Sequence, residues 1–230
     1  MTLQEAINNL KIDSEQISKS KLSTIVKNGD KCNSAFIVER GIVRVFYTDI
    51  NDEESTIALL AEGDFFPIEV IFNRSETVMF EYASYTDARL IEFKVEEFRD
   101  ELLHDGCLSC SVLDGFARQN ISQSMQIQAL TSGKVKDKIC QFMQYLVLKF
   151  GEHLGGGIWE VDIALTQEDI ALLAGVTRES ASTTLSKLRK DNIISYDAGV
   201  YSVDIDKLRE VSTTPEIDES VVSGESPLCE

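Results

Sequence analysis

The spacing of apolar residues along this chain changes from a strand-like to a helical period near Lys94. From about residue 34 to 93, apolar and polar residues alternate with a period near two, in short segments such as SAFIVERG and IVRVFYTD separated by turn residues. Repeated short strands at a spacing of about 8–12 residues predict a β-sandwich or jelly roll and argue against parallel βαβ units. After Lys94 the apolar period becomes that of helices, which predicts an α+β chain with its strands first.

A long helix is predicted from about Ser111 to Thr131, because apolar residues recur there every four positions. A stripe of that length needs a partner, which is the β domain, a second copy of the helix, or both; a two-fold dimer is the commonest solution. Gly133 weakens the helix that precedes it and is a candidate joint between domains. The stripe and its neighbours are Leu113, Ala117, Ile121 and Met125, with Phe116, Ile127 and Leu130.

The segment from 134 to 212 has the pattern of a winged helix-turn-helix. Thr166, followed three residues later by Asp169, predicts a capped helix that ends at Gly175. Thr177 then begins a second helix, RESASTTLSKLRK, and a hairpin around Gly199 follows. Two short helices joined through a glycine turn and followed by a β-wing form a DNA-reading unit. Five apolar residues are expected to pack this unit together: Ala174, Val176, Ala181, Leu185 and Leu188.

The charge distribution allows local DNA contact although the formal net charge is −17. Residues 134–212 carry 10 basic and 12 acidic side chains, so most of the negative charge lies elsewhere. Thr177 to Lys190 contains four basic residues and one acid, and Lys134, Lys136 and Lys138 form a second basic cluster. This balance predicts phosphate contact that is weak without specific contacts and strongly dependent on salt.

The second helix supplies the candidate base-reading side chains at its start. Arg178 can bond a guanine edge in two places, and Glu179 can accept from cytosine N4. Lys187, Arg189 and Lys190 lie two or more turns later and are expected to touch phosphate at most. The alternative interpretation is a surface helix with a solvated charged face. The predicted DNA-binding residues are Thr166, Gln167, Thr177, Arg178, Glu179, Ser182, Thr183 and Lys187.

The segment LTQEDIALLAGVTRESASTTLSKLRKDNII resembles the DNA-reading unit of the cyclic AMP receptor protein and FNR (Crp-Fnr) family of bacterial transcription regulators. NGDKCNSAFIVERGIVRVF and LLAEGDFF resemble the cyclic-nucleotide-binding-type jelly roll of that family. The resemblance implies a sensing jelly roll in 1–110, a dimerisation helix in 111–133 and a winged helix-turn-helix in 134–212. The remainder, 213–230, is acidic with Pro, Ser and Gly and is predicted to be a disordered tail.

The resemblance also implies a homodimer that binds double-stranded promoter DNA at a palindromic site, with RNA polymerase as a further partner. Arg178 and Glu179 match the base-reading Arg-Glu pair of the family. Thr183 stands where many members have a second arginine, so the half-site is not expected to be identical to theirs.

The sensor segment departs from the nucleotide-binding members. Counting on from the Gly-Asp-Phe turn, Pro67 and Ile68 stand where those members have a ribose-binding glycine and glutamate. Val78 and Met79 stand where they have the Arg-Ser pair for the cyclic phosphate, and Arg74 is out of register. A cyclic phosphate would lose its charged partner and its hydroxyl donor, so cyclic AMP is not expected to bind.

The apolar residues after the Gly-Asp-Phe turn have two interpretations, a pocket for an apolar effector or filled core, and filled core is slightly favoured. Ile71 and Phe72 belong to the same apolar set. No cofactor is predicted, and the effector is left unknown. The candidate effector-pocket residues are Phe65, Phe66, Ile68, Val78 and Met79, with Gln119, Gln123 and Ser124 from the long helix.

Other functional classes have little support in the sequence. His104, Cys107 and Cys110 could bind a metal or respond to oxidation, but cysteines at this spacing on a helix are usually small core residues and no metal site is predicted. Five cysteines and the polar N-terminus favour a reducing, cytoplasmic location with no membrane association. No phosphate-binding loop or Ser/His/Asp order indicates an enzyme. The competing function is a sensory or interaction module that has lost DNA binding.

Overall fold

A computed structural model describes residues 13–212 of the chain. Within them the chain forms two compact units, 13–119 and 120–212, which divide inside the long helix rather than at Gly133. The predicted tail, 213–230, lies outside the described residues.

The first unit is a jelly roll of two four-stranded antiparallel sheets, in the orders β1-β8-β3-β6 and β2-β7-β4-β5. The predicted strand region and its turn near Asp52 are confirmed, but two strands before residue 34 were missed. The strands are β1 (Ser14–Lys19), β2 (Thr24–Val26), β3 (Ser34–Arg40), β4 (Val43–Thr48), β5 (Glu54–Leu60), β6 (Phe65–Phe66), β7 (Glu81–Ser84) and β8 (Ala88–Lys94).

Aromatic side chains join the two sheets. Phe66 stacks on Phe36 with ring centroids 5.2 Å apart, and its centroid lies 4.7 Å from that of Tyr82 in the other sheet. All three side chains are buried. Burial raises the pKa of Tyr82, because the anion would be desolvated in this core. The interior of the jelly roll is therefore filled by the protein's own side chains.

Three helices belong to or begin in this unit: α1 (Ile68–Ile71), α2 (Val95–His104) and α3 (Gly106–Thr131). The long helix α3 begins five residues earlier than predicted. It begins there because the Asp105 carboxylate accepts a hydrogen bond from the Leu108 amide at 2.9 Å, which satisfies one of the unpaired amides of the first turn.

The apolar stripe of α3 is only partly covered in the single chain. Leu113 is 61% exposed, Phe116 42% and Ile127 59%, whereas Met125 is buried. The Phe116 ring meets Phe72 edge-on at 6.3 Å between centroids. Several large apolar side chains on this helix are thus exposed in the single chain.

The second unit contains the predicted winged helix-turn-helix. Its four-stranded sheet has the order β11-β12-β10-β9, the predicted hairpin around Gly199 is confirmed, and a second hairpin joins β9 to β10. The short last helix was not predicted. The elements are α4 (Val135–Phe150), β9 (Gly151–Gly155), β10 (Ile158–Val161), α5 (Gln167–Leu173), α6 (Arg178–Lys190), β11 (Ile194–Asp197), β12 (Val200–Asp204) and α7 (Ile205–Val211).

Among residues 13–212, every helix is too short or too polar to cross a membrane.

Candidate DNA-binding surface and sensor domain

The helix-turn-helix is fixed at both helix starts by threonine caps. The Thr166 hydroxyl accepts from the Asp169 amide at 3.1 Å, and the Asp169 carboxylate accepts from the Thr166 amide at 2.8 Å. This reciprocal pair is the predicted capping box. Thr177 caps α6, because its hydroxyl accepts from the Ser180 amide at 3.3 Å. Thr166 and Thr177 therefore hold the helix ends in place.

The turn between the two helices favours glycine. Gly175 has a φ of +62°, and a β-carbon built on it would lie 2.8 Å from Cδ2 of Leu130. The Lys138 ammonium donates to the Gly175 carbonyl at 3.4 Å, so this lysine supports the turn. The predicted inner face is confirmed, since Ala174, Ala181, Leu185 and Leu188 are buried and Val176 is half-buried.

The first turns of α6 present the predicted base-reading side chains to solvent. Arg178, Glu179, Thr183 and Lys187 are exposed, and Ser182 is half-buried. Within the described part of the chain, no ion pair or hydrogen bond holds the side chains of Arg178 and Glu179. The Thr183 hydroxyl instead donates to the Glu179 carbonyl at 2.8 Å. A guanidinium and a carboxylate thus stand side by side, available to an external polar surface.

The start of α5 is held by its own capping interactions. The Thr166 hydroxyl also donates to the Asp169 carboxylate at 2.6 Å, so this hydroxyl both donates and accepts a hydrogen bond within the cap. Gln167 is half-buried. The structure therefore gives Thr166 a local structural role, in addition to any DNA contact through its backbone.

Arg189, one of the late basic residues expected to touch phosphate at most, packs against the wing. It is half-buried, and its guanidinium lies 5.6 Å from the Tyr196 ring centroid on the wing. Burial raises the pKa of Tyr201 in the same cluster, and the nearby Arg189 charge opposes that rise. The structure gives Arg189 a packing role between α6 and the wing, while Lys187 and Lys190 remain exposed.

Sequence reasoning missed Val135, which lies beside the recognition helix. An open depression of about 290 Å³ is lined by Val135 of α4 and by Glu179, Ser180, Thr183 and Thr184 of α6. The first turn of α4, with exposed Lys134, therefore borders the surface formed by the start of α6. The basic cluster of Lys134, Lys136 and Lys138 was the feature of the sequence that indicated a role for the first turn of α4.

The candidate effector-pocket residues mostly fill the jelly-roll core. Phe65, Phe66 and Val78 are buried, Ile68 is half-buried, and Met79 is 56% exposed. The three buried residues pack within the continuous hydrophobic core of the first unit, which is the arrangement that the filled-core interpretation expects. Arg74 is an exposed loop residue, as the sequence register predicts.

The glutamine and serine candidates on α3 fall into two groups. Gln119 is buried, and its side-chain amide donates to the Phe65 carbonyl at 3.2 Å. Its carbonyl oxygen has no hydrogen-bond partner within residues 13–212. Gln123 and Ser124 are exposed, and the Ser124 hydroxyl donates to the Asn120 carbonyl one turn earlier. Of the three, Gln119 contacts the Gly-Asp-Phe region.

A carboxylate contacts the segment that aligns with the Arg-Ser pair of the nucleotide-binding members. The backbone amide of Met79 donates to Glu69 Oε1 at 2.7 Å. Glu69 is also close enough to contribute to the raised pKa of Tyr82, after the larger effect of burial. The amide that follows Val78 is thus already bonded to a negatively charged group of the chain itself.

The His104, Cys107 and Cys110 run is neither a metal cluster nor core. Among the described residues, no group of three His, Cys, Asp or Glu side chains is placed to hold a metal. His104 Nδ1 lies 2.6 Å from the Asp100 carbonyl oxygen. Cys107 is exposed and Cys110 half-exposed, so the expectation that both are small core residues is wrong.

Comparisons with known proteins agree with this architecture in both units. Residues 17–105 match the cyclic nucleotide-binding domain, and residues 137–211 match the Crp-like helix-turn-helix domain. The global nitrogen regulator of Synechocystis sp. is 27% identical over 182 residues, which cover 79% of this chain and 80% of that protein.

Solved structures share the fold. FixK2 from Bradyrhizobium japonicum superposes with a TM-score of 0.74 at 15% identity, covering 89% of this chain and all of that one. A CooA mutant from Carboxydothermus hydrogenoformans gives 0.73 at 20% identity, covering 93% and 96%. Both domain matches occur in the order of the two units described above. The chain therefore belongs to the Crp-Fnr family, whose members are transcription regulators and not enzymes.

Proposed function

We propose that this protein is a homodimeric, sequence-specific DNA-binding transcription regulator whose sensor domain does not bind cyclic AMP. The observation that carries the proposal is the exposed Arg178–Glu179 pair in the first turn of a capped recognition helix. Arginine can bond a guanine edge in two places, and glutamate can accept from cytosine N4. A carboxylate beside phosphates is repelled unless a base donates to it, so the pair suits base reading better than general electrostatic attraction.

The proposed dimer rests on the exposed apolar residues of α3. The side chains of Leu113, Phe116 and Ile127 are all exposed in the single chain. Exposed apolar patches on a protein surface often mark a contact with another protein. A two-fold contact between two copies of this helix covers the same patch on each copy. Regulators of this family bind DNA and typically act as dimers, which supports a palindromic site; RNA polymerase is proposed as a further partner because the family regulates transcription.

Two features support the exclusion of cyclic AMP. The Glu69 carboxylate occupies the Met79 amide and would repel a phosphate brought to it. Val78 is buried in the core, so it supplies neither a charge nor a hydrogen bond to a ligand. At Val78 and Met79 the described sensor domain therefore offers no cationic partner to an anionic nucleotide.

The decisive experiment selects DNA sites from a random library with the purified protein. The wild type is expected to enrich one palindromic site. On that site, Arg178→Ala should cost about 1–3 kcal/mol and relax one position, because it removes a bidentate base contact. Lys190→Ala is the matched control, since it removes a late exposed charge and should weaken all DNA about equally.

Equal, sequence-independent losses for the two variants would contradict base reading by Arg178. A wild-type protein that enriches no site would favour the competing function, an interaction module without specific DNA binding. The salt dependence separates the two roles further, because each lost phosphate contact lowers the slope of log affinity against log salt by about 1.

A further inference from the structure

Two cysteines stand three residues apart in the first turn of the long helix α3. Cys107 is the second residue of the helix and is exposed, and Cys110 is half-exposed one turn later. The sequence between them is Leu-Ser, so the pair forms a Cys-X-X-Cys motif. Exposed thiols in such pairs and at helix starts are the setting in which reactive cysteines occur.

The other described cysteines differ from this pair. Cys140 is fully buried in α4, where burial raises the pKa of its thiol to about 11. Cys32 is half-buried, as Cys110 is, and its thiol donates to the Ser34 carbonyl at 3.1 Å. Burial also raises the pKa of Cys32. Both environments disfavour the thiolate that oxidants attack, so the motif on α3 is chemically distinct among the described cysteines.

The backbone of a helix brings such a pair within reach of a disulfide. From the rise and radius of an α-helix, Cα atoms three residues apart are separated by about 5 Å, inside the range of about 4.4–6.8 Å found in disulfides. The β-carbons, at about 5–6 Å, must approach to about 4 Å. Closure therefore requires only a local tightening of the first turn, next to the Asp105 cap.

We propose that Cys107 and Cys110 form a reversible oxidation site, a dithiol that a peroxide converts to an intrahelical disulfide. The Cys107 thiolate attacks one oxygen of hydrogen peroxide, the O–O bond breaks, and the departing hydroxide takes up a proton to become water, leaving a sulfenic acid. The Cys110 sulfur then attacks the Cys107 sulfur, the S–O bond breaks, and a second water leaves with the Cys110 proton. Two thiols and one peroxide give one disulfide and two waters.

The roles of the two cysteines follow from their exposure. Cys107 meets the oxidant because it is the more exposed residue, and Cys110 resolves the sulfenic acid because it lies on the same helical face. The oxidised protein then carries a disulfide at the start of α3, the helix that both compact units share. A thiol reductant removes this disulfide.

The experiment treats the full-length, fully reduced protein with hydrogen peroxide, blocks the remaining thiols with an alkylating reagent and maps the peptides by mass spectrometry. The wild type should lose two alkylatable thiols per chain, joined as Cys107–Cys110, and regain both with dithiothreitol. Cys110→Ser should stop at a sulfenic acid on Cys107, which a 1,3-dione traps. Cys32→Ser is the matched control and should still form the disulfide.

Three outcomes would overturn the site. The first is that Cys107 and Cys110 both remain alkylatable after peroxide treatment. The second is a disulfide that joins Cys107 to another cysteine, such as Cys229 or Cys107 of a second copy. The third is oxidation of Cys107 to sulfinic acid while Cys110 stays reduced, which would show that Cys110 does not resolve the intermediate. Because Cys107 is exposed, its replacement by serine should leave the fold intact, and far-ultraviolet circular dichroism checks this.

Discussion

Replacing Gly175 by alanine tests how the turn of the helix-turn-helix is held. The residue has a φ of +62°, a left-handed conformation that costs an L-residue about 1–2 kcal/mol. Alanine also restricts the unfolded chain more than glycine does, which stabilises the folded state by about 0.4–1 kcal/mol. The net conformational cost of the substitution is therefore about 1 kcal/mol. The new β-carbon would also lie 2.8 Å from Leu130 Cδ2, and moving that side chain off its rotamer adds about 0.5–1.5 kcal/mol. We expect Gly175→Ala to lower the free energy of unfolding by about 2 kcal/mol.

The chain offers a matched control for this variant. Gly156 has a φ of +60°, and a β-carbon built on it meets no atom within 4 Å. Gly156→Ala should therefore show the conformational cost alone, about 1 kcal/mol. Urea unfolding at one fixed protein concentration measures both variants.

A double-mutant cycle isolates the contact with Leu130. Leu130→Ala removes the atom that the new β-carbon meets, so the double variant should recover about 0.5–1.5 kcal/mol relative to additivity. Additive effects of the two substitutions, or equal losses for Gly175→Ala and Gly156→Ala, would refute the claim that close packing requires glycine at this turn.

Three further expectations concern the dimer, the sensor and the helix cap. Leu113→Glu combined with Ile127→Glu should convert the dimer to monomers in light scattering, because both side chains are exposed on α3; a persisting dimer would place the main contact elsewhere. Titration calorimetry should show no binding of cyclic AMP at micromolar concentrations, since the Glu69 carboxylate holds the Met79 amide; a micromolar dissociation constant would contradict this. Thr166→Ala should cost about 1 kcal/mol of stability by removing the capping box, whereas Thr166→Ser should cost much less, and equal losses would argue against the cap.

The helix-turn-helix could be predicted from the sequence because its signals are local. A threonine with an acid three residues later, and a glycine between two short apolar patterns, each determine the backbone within a few residues. The structure has the capping box at Thr166 and the left-handed conformation at Gly175 that these signals predict.

The missed elements lack such signals. Strand β1 has no fully buried residue, so its sequence shows no clear alternation, and backbone pairing with β8 holds it in the sheet. The early start of α3 depends on the Asp105 cap, which follows directly after the end of another helix.

The sensor could be predicted only in part, because its decisive contacts join residues distant in sequence. Register alone indicated that the Arg-Ser pair for a cyclic phosphate is missing. The bond from the Met79 amide to Glu69 depends on the path of the chain between them. The packing of Arg189 against Tyr196 likewise depends on how the wing folds back on α6.

The hydrogen bond from the Thr183 hydroxyl to the Glu179 carbonyl limits which DNA bases the Thr183 side chain can recognise. With its proton directed to the backbone, the oxygen can only accept, and the methyl group offers apolar contact. In the major groove, adenine N6 and cytosine N4 donate and thymine carries a methyl group, whereas guanine presents only acceptors. On the contacted strand, the base that faces Thr183 should therefore not be guanine. An arginine at this position would instead select guanine.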